Sequence, residues 1–539
     1  MLQMNSQTSA DLVIAMLTSD PRAPLLLGLG SAEREKALSA LLDGPGGRAL
    51  RERASCAIAH ALSVERLVPD VYAEWRPLVR DAMEYFGSHL STARLAPKLI
   101  QQLQLPASTR PEKRLVQLIA RVPGLQKLGQ VIARNRHLHR AVRRELTQLE
   151  NDICDVNVEE LRSIIVEGLG DALERYAVHL EPKIFRQASV SAVLRFTWRN
   201  PERRARERGV FKVMKPYIPD YFAEDMELLA QLARYLGSKH KEYGFARHVL
   251  PETFQDVRRL LRHEVNFTRE QANLRRAALM YRDVSSVRIP EVIPQLCTAT
   301  ITAMSEERGQ KITSAATRLP ALRRREIAQQ LLDSVIAVPL LKAGAAGMFH
   351  ADPHAGNLLY NERTGQLTLL DWALTEHVSD EQRRQLAMLF AMTLLRDGPG
   401  LGRVIEAMSR RCQRRHAQQA SLIRDELRSF FAAQPVTRIP RLSDVVEILE
   451  RIGWRGVRLP SQFVMLRKVL FTLDGILHEI AGPNASIELL MMRRLMERWI
   501  AHPKQVGWPL SLNDWIAVYL SATLYGSRVA LGSLQQLAG

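Results

Sequence analysis

Cysteine is scarce in this chain. The 539 residues hold four, Cys56, Cys154, Cys297 and Cys412, far apart and without a CxxC pair. That spacing excludes a disulfide framework or a cysteine-ligated zinc as the basis of the fold, and it fits a reducing cytoplasm. Aromatics are also sparse, at 6%. No stretch of about eighteen clean apolar residues, the usual mark of a membrane span, exists. The nearest approach, Trp515–Leu534, has Arg528 inside it. The opening MLQMNSQTSADLVIAMLTSDPR lacks a basic start followed by an apolar core, so no signal peptide is expected. Asp11 and Asp20 within it are unlike an organelle transit peptide. There is no internal repeat and no low-complexity tract.

What is present is ordinary globular composition, 46% apolar and 24% charged. This excludes a disordered, collagen-like or multi-span membrane chain. At roughly 150 residues per domain, the length suits several units or one large domain with helical additions. Lys+Arg number 75 against 57 Asp+Glu, a net charge of +18. Such a chain is drawn to something anionic: nucleic acid, phospholipid or a phosphorylated ligand. The arginines fall in separate runs (RRARER at 203–208, RRR at 323–325, RR at 410–411 and 414–415). These form no single tail and fit no nucleic-acid-reading pattern, so nucleic acid is not expected, and an anionic membrane surface stays open beside the bland reading of arginines spread along the chain.

Residues 1–105 read as short helices broken by proline and glycine, and 106–111 as a linker. Leu115, Leu118, Ile119, Val122, Leu125, Leu128 and Ile132 recur at helical spacing, with a break expected at Pro123-Gly124. Residues 140–180 also read as helix. The character changes near 184. IFRQASVSAVLRFTW alternates and is followed by a charged bend and GVFKVMKP, which predicts one hairpin of two strands with a long loop, ended by Pro216. Helices are expected over 222–241 and 252–280, and a strand over 297–304. A helix over 323–346 should kink at Pro339. After HADPHAGN, the segments LLYN and QLTLLDW predict a second hairpin, and from 380 onward everything reads as helix. The divisions expected are 1–110, 111–183, 184–310, 311–400 and 401–539. A strand-rich block before a helical one outlines a two-lobed, kinase-like α+β fold, with nucleotide expected in the cleft between lobes.

The chemistry concentrates in His350-Ala-Asp352-Pro-His-Ala-Gly-Asn357 and Leu369-Leu-Asp371-Trp-Ala. Phosphoryl transfer needs a carboxylate beside the attacking oxygen and oxygen ligands for Mg²⁺ on the phosphates. Asp352 and Asn357 have the spacing of a kinase catalytic-loop Asp and Asn, and Asp371 follows a hairpin, where a magnesium-binding Asp sits. The bland alternative is a polar loop whose Asp and Asn make turn hydrogen bonds. Lys212 lies in a strand on one face with Val210 and Met214. A cation on an apolar face needs an anionic partner, such as nucleotide phosphates and a helix Glu; otherwise its amine snorkels to water. The segment 252–280 supplies the acids. Glu264 continues the stripe of Val257, Leu260 and Leu261, whereas Glu270 falls with Asn266 and Asn273 on a more polar face. Either could meet Lys212, and either could be an ordinary helix-surface acid.

With these residues in hand, the sequence resembles the UbiB/ADCK (AarF-type) family of atypical kinase-like proteins. Lys127-Leu-Gly-Gln130 is similar to its KxGQ motif, and Glu264-Val-Asn-Phe-Thr-Arg-Glu270-Gln-Ala-Asn273 to its E-x-D-x-x-x-E-A-x-N segment. HADPHAGNLL is close to the family form, and Phe463–Ile480 resembles its TLEG helix. The match spans roughly 112–480. The resemblance implies a two-lobed protein-kinase-like fold with large N- and C-terminal helical extensions, and ATP and Mg²⁺ as ligands. Lys127 and Gln130 would belong to an extension that closes over the site and occludes protein substrates. Lys212 would contact nucleotide phosphates, with Glu264 and Glu270 holding Lys212 and Lys127 in an order left open. Asp352 would be the catalytic-loop Asp, and Asn357 and Asp371 would bind Mg²⁺. The alanine-rich nucleotide loop corresponds to Arg186-Gln187-Ala188-Ser189, with Ser191 for a small glycine. Asn266 stands for the second acid, and Ala373 for the glycine of the DFG triplet.

The function implied is a supporting role in isoprenoid-lipid metabolism, above all ubiquinone biosynthesis, at a membrane face. Biosynthetic enzyme partners and a homodimer stay open. Two rivals remain. One is a small-molecule phosphotransferase, which would lack Lys-Leu-Gly-Gln. The other is a catalytically silent scaffold that binds nucleotide and lipid. For Trp515–Leu534 two readings stand side by side, a helix that lies in an interface or spans with a partner, and a helix packed on the protein.

Overall fold

The computed structural model describes residues 30–62, 70–106, 109–124, 155–244, 249–341, 347–409, 416–434, 461–482 and 510–538, with a few single positions between them. Lys127 and Gln130 lie outside the described residues. The chain divides into two compact units, residues 1–265 with 295–301, and 266–294 with 302–539.

The first unit opens with helices α1 (Ser31–Asp43), α2 (Gly47–Ala61), α3 (Arg76–His89), α4 (Thr92–Gln104) and α5 (Pro111–Ile119). Proline in the first turn of α3 and α5 is harmless, because those N–H groups have no intrahelical acceptor. Leu38, Leu42, Leu50, Phe86, Leu95 and Leu99 form a core that also takes in Leu228 of a later helix, α7 (Ile218–Ser238). Arg94, Glu224 and Asp225 tie the two regions together. Arg94 Nη1 lies 2.7 Å from the buried Asp225 and 3.1 Å from Glu224, and Asp225 Oδ2 accepts from Gly124 N at 2.8 Å. The expected break at Pro123-Gly124 is thus a point where backbone is handed to a buried carboxylate.

After α6 (Val158–Leu169) comes an antiparallel sheet. Its strands are β1 (His179–Gln187), β2 (Ser191–Asn200) and β3 (Ala205–Met214). The two-strand hairpin expected from the sequence is corrected to three strands. A tight turn, closed by Ala188 N donating to Ser191 O at 2.8 Å, cuts the first alternating run in two. The β2–β3 turn uses Asn200, whose Oδ1 accepts from Glu202 N and Arg203 N. Ala192, Leu194, Phe196 and Trp198 point to one buried face, where Phe196 stacks on Phe211. Past β3, Met214 N donates to Thr300 O at 2.9 Å, which brings the start of the next strand alongside. That strand, β5 (Ile301–Ser305), which lies between the two-residue strands β4 (Val287–Arg288) and β6 (Gln310–Lys311) in the sequence, begins later than expected. Thr298 Oγ1 accepts from Thr300 N and Ile301 N and holds the preceding residues in a turn.

The helix expected over 252–280 is two helices, α8 (Val249–Glu264) and α9 (Phe267–Met280). Asn266 divides them, its side chain capping α9 by accepting from Arg269 N at 2.9 Å. In the second unit, α10 (Ala321–Leu332) runs into a π-turn at Asp333–Ala337 and then α11 (Val338–Leu341). The irregularity foreseen at Pro339 therefore falls just before it, where the proline ring crowds the preceding turn and its missing N–H breaks the regular ladder.

The expected second hairpin is present as β8 (Leu358–Asn361) and β9 (Gln366–Leu369). A short pair was not foreseen: β7 (Gly347–His350) with β10 (Thr375–Val378). Gly347 is required there, since a Cβ would come 2.6 Å from Val378 O. Helices follow at α12 (Asp380–Leu394), α13 (Gly398–Ser409), α14 (His416–Ala432), α15 (Ser461–Ala481) and α16 (Leu512–Ala538). Arg384 of α12 makes a bidentate pair with Asp514 of α16, at 2.6 and 2.9 Å. No described helix is long and apolar enough to cross a membrane.

Candidate active site

β7 delivers His350 into the interior, fully buried. Its Nε2 donates to Leu370 O at 2.8 Å, and its Nδ1 accepts from Asp352 N at 3.1 Å. A carbonyl cannot donate and a backbone N–H cannot accept, so these partners fix the neutral Nε2–H tautomer. Burial pushes the His350 pKa below its ordinary value. The loop then closes on itself. Asp352 O accepts from His354 N at 2.8 Å and from Asn357 Nδ2 at 3.2 Å, while Asn357 N donates to His354 O at 2.8 Å.

Asn357 and Asp371 flank one end of the β8–β9 hairpin. The register pairs Leu358 with Leu369, and Leu370 N donates to Asn357 O at 2.9 Å. Asp371 has φ +56°, uncommon for a residue with a Cβ though tolerated best by Asp and Asn. Its Oδ1 accepts from Ala373 N at 3.3 Å, and the residue is exposed. Beside it Trp372 is wholly buried, its ring packed edge-on to His350 and Tyr281 and its Nε1 donating to Leu369 O. The orientation of Asp371 is therefore set by a buried anchor next door.

Helix α9 fixes the same stretch from the other side. Asn273 Nδ2 donates to Trp372 O at 3.0 Å. Arg269 donates to Ala373 O at 2.9 Å and to Thr375 O at 3.3 Å. Glu270 and Asn273 are buried at 0% and 1% exposure. The more polar face read from the sequence is turned inward here, so Glu270 is not an ordinary helix-surface acid. From α15, Lys468 Nζ reaches Asp352 Oδ1 at 3.0 Å, and Asp352 Oδ2 lies 4.0 Å from His354 Nε2.

In the first unit Lys212 sits on β3 opposite Val193, 8% exposed, as is Glu264 at the end of α8. Lys212 is thus an interior cation. A second one went unnoticed in the sequence. Lys215 is fully buried and pairs with Asp155 at 2.5 Å, and Tyr217 OH donates to the other Asp155 oxygen at 2.5 Å. Gln187 is folded inward, donating to Val156 O at 2.9 Å and accepting from Asp155 N at 3.3 Å. Its bulk is absorbed by that segment. Ser189 is buried, and the Ala188 N–H is already used in closing its turn.

Hard oxygen donors suit Mg²⁺. Asn357 and Asp371 carry carboxamide and carboxylate oxygens, the donor type such a cation takes, and their side chains also bond Asp352 O and Ala373 N. Arg269 and Lys468 were missed by the sequence reading. The signal for Arg269 was its position one turn from Asn273 on α9. For Lys468 it was a cation inside the apolar run of Met465, Leu466, Val469 and Leu470.

Residues 148–404 match the ABC1 atypical kinase-like domain. That domain, together with relatives named UbiB, supports a place in the UbiB/ADCK family. It is 23% identical to the probable protein kinase UbiB of Haemophilus ducreyi, over 72% of this chain and 71% of that protein. It is 25% identical to ACTIVITY OF BC1 COMPLEX KINASE 8 of Arabidopsis thaliana, over 46% of this chain but 31% of that protein. The solved structure of Rv3197 with erythromycin, from Mycobacterium tuberculosis, is more distant: TM-score 0.45 and 16% identity, covering 68% of this chain and 89% of that one. In UbiB/ADCK terms, the fold is a mixed α/β kinase-like domain with helical extensions on both sides.

Proposed function

We propose that this chain is an ATP- and Mg²⁺-using atypical kinase or ATPase of the UbiB type. The observation that carries the reading is the gathering of Asp352, Asn357 and Asp371 around one end of the β8–β9 hairpin, with His350 and Trp372 as their buried supports. Asp352 accepts the proton of the attacking oxygen. Asn357 and Asp371 hold Mg²⁺, which neutralises charge on the phosphates when bound. Lys212 holds the α/β-phosphates, steadied by Glu264 or Glu270. The lipid side of the proposal is support of isoprenoid-quinone (ubiquinone) biosynthesis, with the protein peripheral on the cytoplasmic face of a membrane. It rests on the resemblance to UbiB and on the +18 charge.

Release of ADP by the purified full chain with Mg²⁺ and ATP tests the reading, beside Asp371→Asn. Turnover that collapses in the variant supports it. Equal, slow release by both favours the second reading, a silent scaffold that binds nucleotide and lipid. Stoichiometric phosphate transfer to a metabolite would favour a small-molecule phosphotransferase.

A further inference from the structure

The catalytic loop carries no permanent cation. Between Asp352 and Asn357 stand only Pro353, His354, Ala355 and Gly356. The charge beside Asp352 comes from Lys468, in the C-terminal helix α15. That helix is well anchored, with Met465, Leu466, Val469, Leu470 and Leu473 buried. Lys468 sits on the flank of this apolar face, its side chain 21% exposed against 8% for Asp352.

The rotation of an Asp carboxylate about χ2 is broad and roughly two-fold, so its neighbours decide where its oxygens point. The loop's own bonds engage the backbone N–H and C=O of Asp352. Lys468 engages Oδ1 at 3.0 Å, and Oδ2 lies 4.0 Å from His354 Nε2. We propose that Lys468 is a positioning residue for Asp352: its contact with Oδ1 fixes the carboxylate that receives the proton of the attacking oxygen, which makes α15 part of the catalytic machinery. The inference rests on the phosphoryl-transfer reading above. The competing account is a clamp that merely holds α15 in place, and a partly exposed ion pair of that sort contributes about 0–1 kcal/mol to stability.

The test uses the purified full chain, Lys468→Met, Lys468→Arg, Asp352→Asn and the double variant Asp352→Asn/Lys468→Met. ADP release, equilibrium ATP–Mg²⁺ affinity and melting temperature are the readouts. Misplacing a catalytic group by about 1 Å costs on the order of 100-fold in rate. Lys468→Met should therefore lower kcat by roughly 10- to 100-fold. Its nucleotide Kd should stay within about threefold, because binding is not the step affected. Lys468→Arg should restore most of the loss. In the Asp352→Asn background Lys468→Met should cost nothing further, since residues that act as a unit are not additive. Lys468→Gln carries the same test should Lys468→Met fail to fold.

A kcat within about twofold of wild type, a loss matched by the loss in affinity, or full additivity with Asp352→Asn would overturn the proposal. The two levels fail differently. Wild-type turnover unaffected by Lys468 removes the positioning role alone. Nucleotide binding without any wild-type turnover removes the phosphoryl-transfer reading, and the positioning role with it.

Discussion

Asn273 on α9 donates from Nδ2 to the carbonyl of Trp372 at 3.0 Å, both groups buried. One amide thus holds the backbone immediately after Asp371. Truncation to Ala leaves a buried carbonyl without this donor, a loss of about 1–3 kcal/mol. Asn273→Ala should lower the melting temperature and weaken Mg²⁺-dependent nucleotide binding together. Unchanged Mg²⁺ dependence in a titration of the variant would separate α9 from the candidate metal site.

The pair Lys215–Asp155 makes a second prediction. Removing one partner strands a buried charge, so Lys215→Met should destabilise the chain by about 3–5 kcal/mol in denaturant unfolding. Lys215→Met/Asp155→Leu should recover part of the loss, since an apolar pair does not need to be neutralised. A Lys215→Met variant as stable as wild type would show that the pair is dispensable.

His350 gives a pH dependence. Burial depresses its pKa below 6.5, outweighing the Leu370 carbonyl, Asp352 and Asp371, which favour the cation. The unfolded chain then takes up the proton more readily than the folded one. The contribution to stability is complete above about pH 6.5 and is lost as pH falls toward the folded value. His350→Asn cannot titrate. The stability gap between wild type and this variant should narrow on going from about pH 7.5 to about pH 5.5, by at most ~1.4 kcal/mol per pH unit. A gap that stays constant would contradict the neutral tautomer.

Helix α16 should behave differently. Hydrogen bonds from Arg384, then from Ser511, hold the Asp514 carboxyl down at about 2. Its stabilisation is present above the ordinary carboxylate value of 3.8 and is lost only as pH falls through about 2. The docking of α16 should therefore be indifferent to pH across the physiological range. The opposite side exposes Leu512, Ile516, Tyr519, Leu520 and Leu524. Removing α16 by ending the chain at Pro503 should weaken co-sedimentation with anionic liposomes. Equal binding by both chains would leave only the net charge as the attraction.

Much of the second unit was legible in the sequence because its signals are local. The Asp352-to-Asn357 spacing and the LLYN/QLTLLDW hairpin need no knowledge of distant residues. The split of the first alternating run into β1 and β2 was hidden, since Ala188, Ser189 and Val190 carry none of the usual Gly, Pro or Asn marks of a turn. The break at Asn266 was likewise masked, because an N-cap asparagine in a polar stretch looks like any other helix-surface residue. Lys215 and Asp155 lie far apart in sequence, and so do Lys468 and Asp352. No periodicity reports such a pairing, and only the folded chain brings the charges together. Of the two readings left open for α16, the structure shows the packed helix, held along its Asp514 and Ser521 side, with apolar side chains exposed on the other.

The left-handed backbone at Asp371 has a consequence for how this site can change. Most side chains resist that conformation by roughly 1–2 kcal/mol, and Asp and Asn resist it least. Shape and charge at this point are therefore separable by a single oxygen-to-nitrogen exchange. Under the proposed reading, asparagine would keep the turn and weaken the hold on Mg²⁺, whereas alanine would disturb both. A silent descendant of this protein could arise by that one step with its architecture intact.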